Sequence, residues 1–76
     1  MGDPVIQGVV ESWLDEEGWG VLTSPALAEP VWAHFCHIVD MPGFRTLTAG
    51  NAVEFDYEDA DQDGYIYRAT SVRLLR

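Results

Sequence analysis

Turn-forming residues punctuate this chain at short intervals, and that punctuation constrains its fold more than any other feature. Gly8, Gly18, Gly20, Pro25, Pro30, the Pro42-Gly43 pair, Gly50 and Gly64 divide it into brief segments rich in Val, Trp, Phe, Tyr and Ile. Short β-branched and aromatic runs bounded by turn residues read as strands. Five such runs occur, at 5–13, 18–23, 31–35, 52–58 and 65–74. Helical alternatives are brief. Ser24 as N-cap and Pro25 at the first helical position give 24–29 one turn before Pro30, so it reads as a loop, and Gly18 stops any helix over 12–17. Five short strands in 76 residues predict a single domain over 1–76, a small closed or partly closed barrel.

Alternation within the runs assigns faces. Trp19, Val21 and Thr23 alternate with Gly18, Gly20 and Leu22, and Trp32 and His34 alternate with Val31, Ala33 and Phe35. Side chains two apart share a face of a strand, so Trp19 and Trp32 fall opposite Leu22, Val31 and Ala33. Both faces of a small barrel's strand cannot be core, and clustered exposed rings mark a binding surface. In the fourth run Val53, Phe55 and Tyr57 form the apolar set. The stretch 38–50 has no strand pattern. It reads as a long connection crossing the barrel, anchored by Phe44 and Leu47.

Charge narrows the partner. Thirteen carboxylates face four basic residues, all Arg, for a net charge of −9. Nucleic-acid affinity comes largely from Lys and Arg displacing counterions from phosphates, so a simple polyanion binder is disfavoured. The hydrophobic fraction of 47% marks a folding chain rather than an acidic tail. So small a domain has little room for a catalytic cleft and its supporting shell. One cysteine, Cys36, excludes an internal disulfide and points to the reducing cytoplasm. No apolar run reaches the roughly 20 residues of a membrane span, and no signal peptide is evident.

Three local groups suggest chemistry, and each has a simpler reading. His34, Cys36 and His37 lie within four residues with no second cluster, whereas a metal needs three or four converging ligands. The same group lacks the orienting partner and oxyanion donors of a Cys-His hydrolase. Asp59 to Gly64 matches the opening of a calcium loop, but its twelfth position is Thr70 instead of Glu, and strand-like flanks make it a solvated acidic hairpin. Asp15-Glu16-Glu17 reads as a solvated turn. No enzyme, metal or cofactor is expected.

Taken in order, Gly8-Val9-Val10, Gly18-Trp19-Gly20-Val21-Leu22, Val31-Trp32-Ala33-His34-Phe35, Gly43-Phe44-Arg45-Thr46-Leu47 and Gly50-Asn51-Ala52-Val53-Glu54-Phe55 resemble the cold-shock domain family over nearly the whole chain. The resemblance implies a five-stranded antiparallel OB-fold barrel that binds single-stranded RNA or DNA by stacking bases on an aromatic platform. Family positions carried over are Trp13, Trp19, Trp32, His34, Phe35 and Phe44, with Arg45 and Arg68 as neighbouring cations. Trp stands at the first three, where the family usually has Phe. Phe35 and Phe44 are open to a core role as well.

Departures from the family pattern concern charge and ring count. Glu11 and Glu17 stand where the family usually has basic residues near the sugar-phosphate backbone. Val21 replaces an aromatic, and Ser12 replaces the common strand-one Trp. The stacking half of the site is kept and the electrostatic half largely removed. The expected function is weak single-stranded nucleic-acid binding. The alternative is an acidic interaction module that has lost this binding and contacts a basic protein or a second copy of itself. A monomer is expected, with a dimer exchanging strands four and five through 38–50 as the variant.

Overall fold

The computed structural model describes residues 5–39 and 46–75. Its strands are β1 (Ile6–Leu14), β2 (Trp19–Thr23), β3 (Val31–His34), β4 (Ala52–Gln62) and β5 (Tyr65–Leu74), with one 3₁₀ turn over Phe35–His37 after β3. They close into a barrel in the order β1-β2-β3-β5-β4. Four of the interstrand pairings are antiparallel, and β3 with β5 is parallel, through Val31 to Tyr67 and Trp32 to Arg68. This is the five-stranded OB-fold barrel expected from the sequence, antiparallel except at this one seam. In a ring with an odd number of strands, directions cannot alternate all the way round, so one neighbouring pair must run the same way.

The fold follows from the alternation read in the sequence. Val10, Leu22, Val31, Ala33, Ile38, Leu47, Val53, Phe55, Ala69 and Val72 make one buried cluster. Full burial of each larger aliphatic or aromatic chain contributes about 1.5–3 kcal/mol. Leu47 anchors the connection into this cluster, as expected. The fourth strand runs to Gln62 and carries most of the acidic stretch within the β4–β5 ladder. A two-residue turn at Asp63-Gly64, both with positive φ (51° and 89°), reverses the chain, the arrangement that matches strand twist in tight hairpins. Over 24–29 there is a turn and no helix: the Leu27 N–H donates to the Ser24 carbonyl (3.1 Å) and the Ala26 N–H to Ser24 Oγ (3.1 Å).

One irregularity decides how β1 meets the site. Val10 pairs with Leu22, but the next pair is Ser12 with Val21, so Glu11 is an extra, bulged residue. A bulge shifts every later side chain to the other face. Ser12 and Leu14 therefore share the outer face with Val21 and Trp19, while Trp13 lies opposite Gly20 on the inner side. Gly20 makes this position available, since a Cβ there would collide with the Trp13 ring and the Ser12 carbonyl.

Candidate nucleic-acid interface

The outer face of β2 and β3 gathers rings into a continuous row. In register, Trp19 lies opposite His34 and Val21 opposite Trp32. The Trp19 and Trp32 rings stack at 6.2 Å between centroids with 27° between planes. Trp32 and His34 stack at 5.7 Å and 28°, and His34 meets Phe35 at 4.7 Å and 39°. Offset contacts at these separations are favourable for aromatic pairs. The row extends at one end to Tyr65, edge-on to Trp19 at 6.4 Å, and His37 lies edge-on to His34 at 6.4 Å.

The chain just beyond β3 places the last rings. The Phe35 N–H donates to the Gly18 carbonyl (2.8 Å), which ties the 3₁₀ turn to the β1–β2 turn. Gly18 has φ 78°, and a Cβ there would come within 3.0 Å of the Phe35 ring. Phe35 is thus held on the surface, 44% exposed, and its core alternative is set aside. The Cys36 N–H donates to His34 Nδ1 (3.3 Å), so a neutral His34 carries its proton on Nε2. The exposed thiol of Cys36 lies 3.1 Å from the same nitrogen. Burial, then His34 and Arg68, hold the His37 imidazole below its usual pKa, with Glu58 acting in the opposite sense.

The other expected site residues are distributed differently. Trp13 does not join the row: the bulge at Glu11 turns it inward, where it packs partly buried against the core. Simple alternation would have placed it beside Trp19. Trp32 occupies the centre of the row but is only 8% exposed, so it supports its neighbours instead of presenting an open face. Its indole Nε1–H is buried and has no hydrogen-bond partner among the described residues. Leaving a buried donor unpaired costs about 1–3 kcal/mol. Phe44 and Arg45 lie outside the described residues.

Arg68 stands beside Trp32 across the parallel seam, but Glu58 on β4 holds it through Nε (3.0 Å) and a shorter contact at Nη2. Arg73 is paired with Glu54 at 3.0 Å. Glu11 and Glu17 are both exposed, with Glu17 in the turn that carries Gly18. Thr46 Oγ1 donates to Asp15 in that same turn. Acidic groups thus border the row near Phe35, and the one described cation beside Trp32 is already engaged.

Tyr65 escaped the sequence reading because it reaches Trp19 from the far hairpin, and no local pattern signals that approach. The inward turn of Trp13 did leave a trace. The polar pair Glu11-Ser12 followed by the apolar pair Trp13-Leu14 breaks strict alternation where the bulge occurs. Among the described residues no group of three or more His, Cys, Asp or Glu is placed to hold a metal, and no helix is long and apolar enough to cross a membrane.

Comparison with known proteins agrees with this geometry. The 'Cold-shock' DNA-binding domain profile matches residues 6–75. A cold shock-like protein of Aquifex aeolicus is 38% identical over 69 residues, covering 91% of this chain and 93% of the relative. The cold shock-like protein CspA of Stigmatella aurantiaca is 41% identical over 51 residues, covering 64% of this chain and 71% of the relative. A third, CspC of Buchnera aphidicola, is 35% identical over 57 residues, covering 75% and 81%. With the closed barrel, the ring row and a match across nearly its whole length, this chain belongs to the cold-shock domain family.

Proposed function

We propose that this protein binds single-stranded RNA or DNA by stacking bases on the outer face of β2 and β3. Cold-shock domains are nucleic-acid binders and not enzymes, and the observation that carries the reading here is the unbroken row from Tyr65 through Trp19, Trp32 and His34 to Phe35. Trp19, His34 and Phe35 are the stacking surfaces. Trp32 stacks between Trp19 and His34 and holds them in line, and Trp13 supports the sheet on its inner side. Phe44 and Arg45 extend the site on the strength of their motif.

Each stacked base contributes about 1–3 kcal/mol. Three rings therefore supply about 3–9 kcal/mol before strand ordering and charge repulsion are subtracted. With Arg68 tied to Glu58 and with Glu11 and Glu17 exposed, little of the usual phosphate attraction is added. Affinity is accordingly weak, micromolar or poorer. The acting unit is a single barrel, and a reducing cytoplasm suits its exposed free thiol at Cys36. A tryptophan fluorescence titration with a short pyrimidine-rich oligonucleotide at low salt tests the reading. Saturable quenching supports it, and unchanged emission at high micromolar oligonucleotide sinks it.

The engagement of Arg68 by Glu58 favours a second reading, an acidic module steered toward a basic protein. Capture of partners from a lysate with and without nuclease separates the two. Basic partners that persist after nuclease support the second reading; partners lost with nuclease support the first.

A further inference from the structure

We infer that the Nε1–H of Trp32 is a base-reading donor, which selects bases carrying an exocyclic carbonyl and disfavours adenine; this rests on the nucleic-acid reading above. The residue is only 8% exposed, and its indole nitrogen is buried without a partner among the described residues. Phenylalanine would fill much of the same space, stack on Trp19 and His34, and leave no donor unpaired. The indole is therefore a liability in the free protein unless a ligand supplies an acceptor.

The chemistry of the site narrows that acceptor. Indole Nε1 is a donor only. A phosphate oxygen is a poor fit, because a buried position penalises charge and the adjacent Arg68 is already neutralised by Glu58. A neutral carbonyl oxygen suits the site. Guanine presents O6, and thymine or uracil O4, whereas adenine presents an amino group at the corresponding edge. At that position the amino group would set donor against donor, leaving adenine only its ring nitrogens, such as N7, to accept. The Trp19 and His34 rings that lie against the Trp32 ring are only half-buried, and side chains with free surface change rotamer in picoseconds to nanoseconds, the motion by which a base would reach the nitrogen.

The test compares two purines that differ at this edge. Anisotropy titrations use labelled heptamers of deoxyinosine, which has the carbonyl, and of deoxyadenosine, which has the amino group. The unmodified protein is expected to prefer inosine, and Trp32→Phe to lower the inosine-to-adenosine affinity ratio about 5-fold, the worth of one hydrogen bond. A ratio unchanged within twofold, with binding still measurable, overturns the inference and leaves the stacking reading intact. No binding of either heptamer by the unmodified protein overturns both. A second measurement does not depend on the variant's folding. In the ¹⁵N spectrum of the unmodified protein, the Trp32 indole proton should move downfield with inosine heptamer and not with adenosine heptamer. Equal movement with both refutes the assignment.

Discussion

The two faces of β2 and β3 are built by alternate residues of the same strands, yet they are buried by different means. On the inner face Gly20, Leu22, Val31 and Ala33 are sealed by closure of the barrel; Leu22, Val31 and Ala33 have no exposed surface. On the outer face Val21 and Trp32 are almost as inaccessible, at 6% and 8%, but the Trp32 ring lies against the Trp19 and His34 rings of the same row. Inner burial is inseparable from the fold. Outer burial can be undone by turning a side chain, and it leaves an indole donor unpaired. Changes on the inner face should therefore be read in stability, and changes on the outer face in binding.

The largest expected effect is on the inside. Leu22→Ala should cost about 2–5 kcal/mol, a large fraction of what so small a domain possesses, and urea unfolding will show it as a collapsed or missing transition. Trp19→Ala, one face over, should cost about 1–3 kcal/mol of oligonucleotide affinity, read by anisotropy, while its urea midpoint falls far less than that of Leu22→Ala. If both variants lose stability equally, the division between the faces is wrong.

Smaller effects test the acidic border of the outer face. Glu11→Lys combined with Glu17→Lys should tighten binding, and it should steepen the dependence of log affinity on log salt by about 0.7 for each phosphate newly contacted. An unchanged slope would mean that neither position approaches the strand. The smallest effect concerns His37. Its pKa is lowered from 6.5 by burial and by neighbouring His34 and Arg68. Between the folded value and 6.5 the unfolded chain binds more protons. Stability from this group is thus complete above pH 6.5 and is lost as pH falls through the folded pKa. Thermal melts across that window should show a slight decline that His37→Gln removes.

Much of this arrangement was legible in the sequence where alternation is unbroken. In β2 and β3 the period of two separates Trp19, Trp32 and His34 from Leu22, Val31 and Ala33, and the structure keeps that separation. Prediction failed where one residue altered the phase. Glu11 bulges out of β1, so Trp13 turns inward and Ser12, a small side chain, takes the outer position opposite Val21. The burial of Trp32 was hidden for another reason: it depends on how neighbouring rings lean, which no spacing encodes. Tyr65 and the parallel seam are long-range features, set by the closure of the ring and the reach of the β4–β5 hairpin. The acidic stretch in that hairpin was legible as solvated, though it is paired strand up to Gln62 and not open loop.

That rings, and not cations, hold the nucleic acid is the proposal. It is tested most directly by the affinity of the unmodified protein for a short pyrimidine-rich single strand across a range of salt concentrations. Each neutralised phosphate contributes about −0.7 to the slope of log affinity against log salt for single strands. Measurable binding with a slope shallower than about −1 is the predicted result. A slope steeper than about −2 would show several phosphates neutralised, and it would contradict the account, as would no binding at any salt.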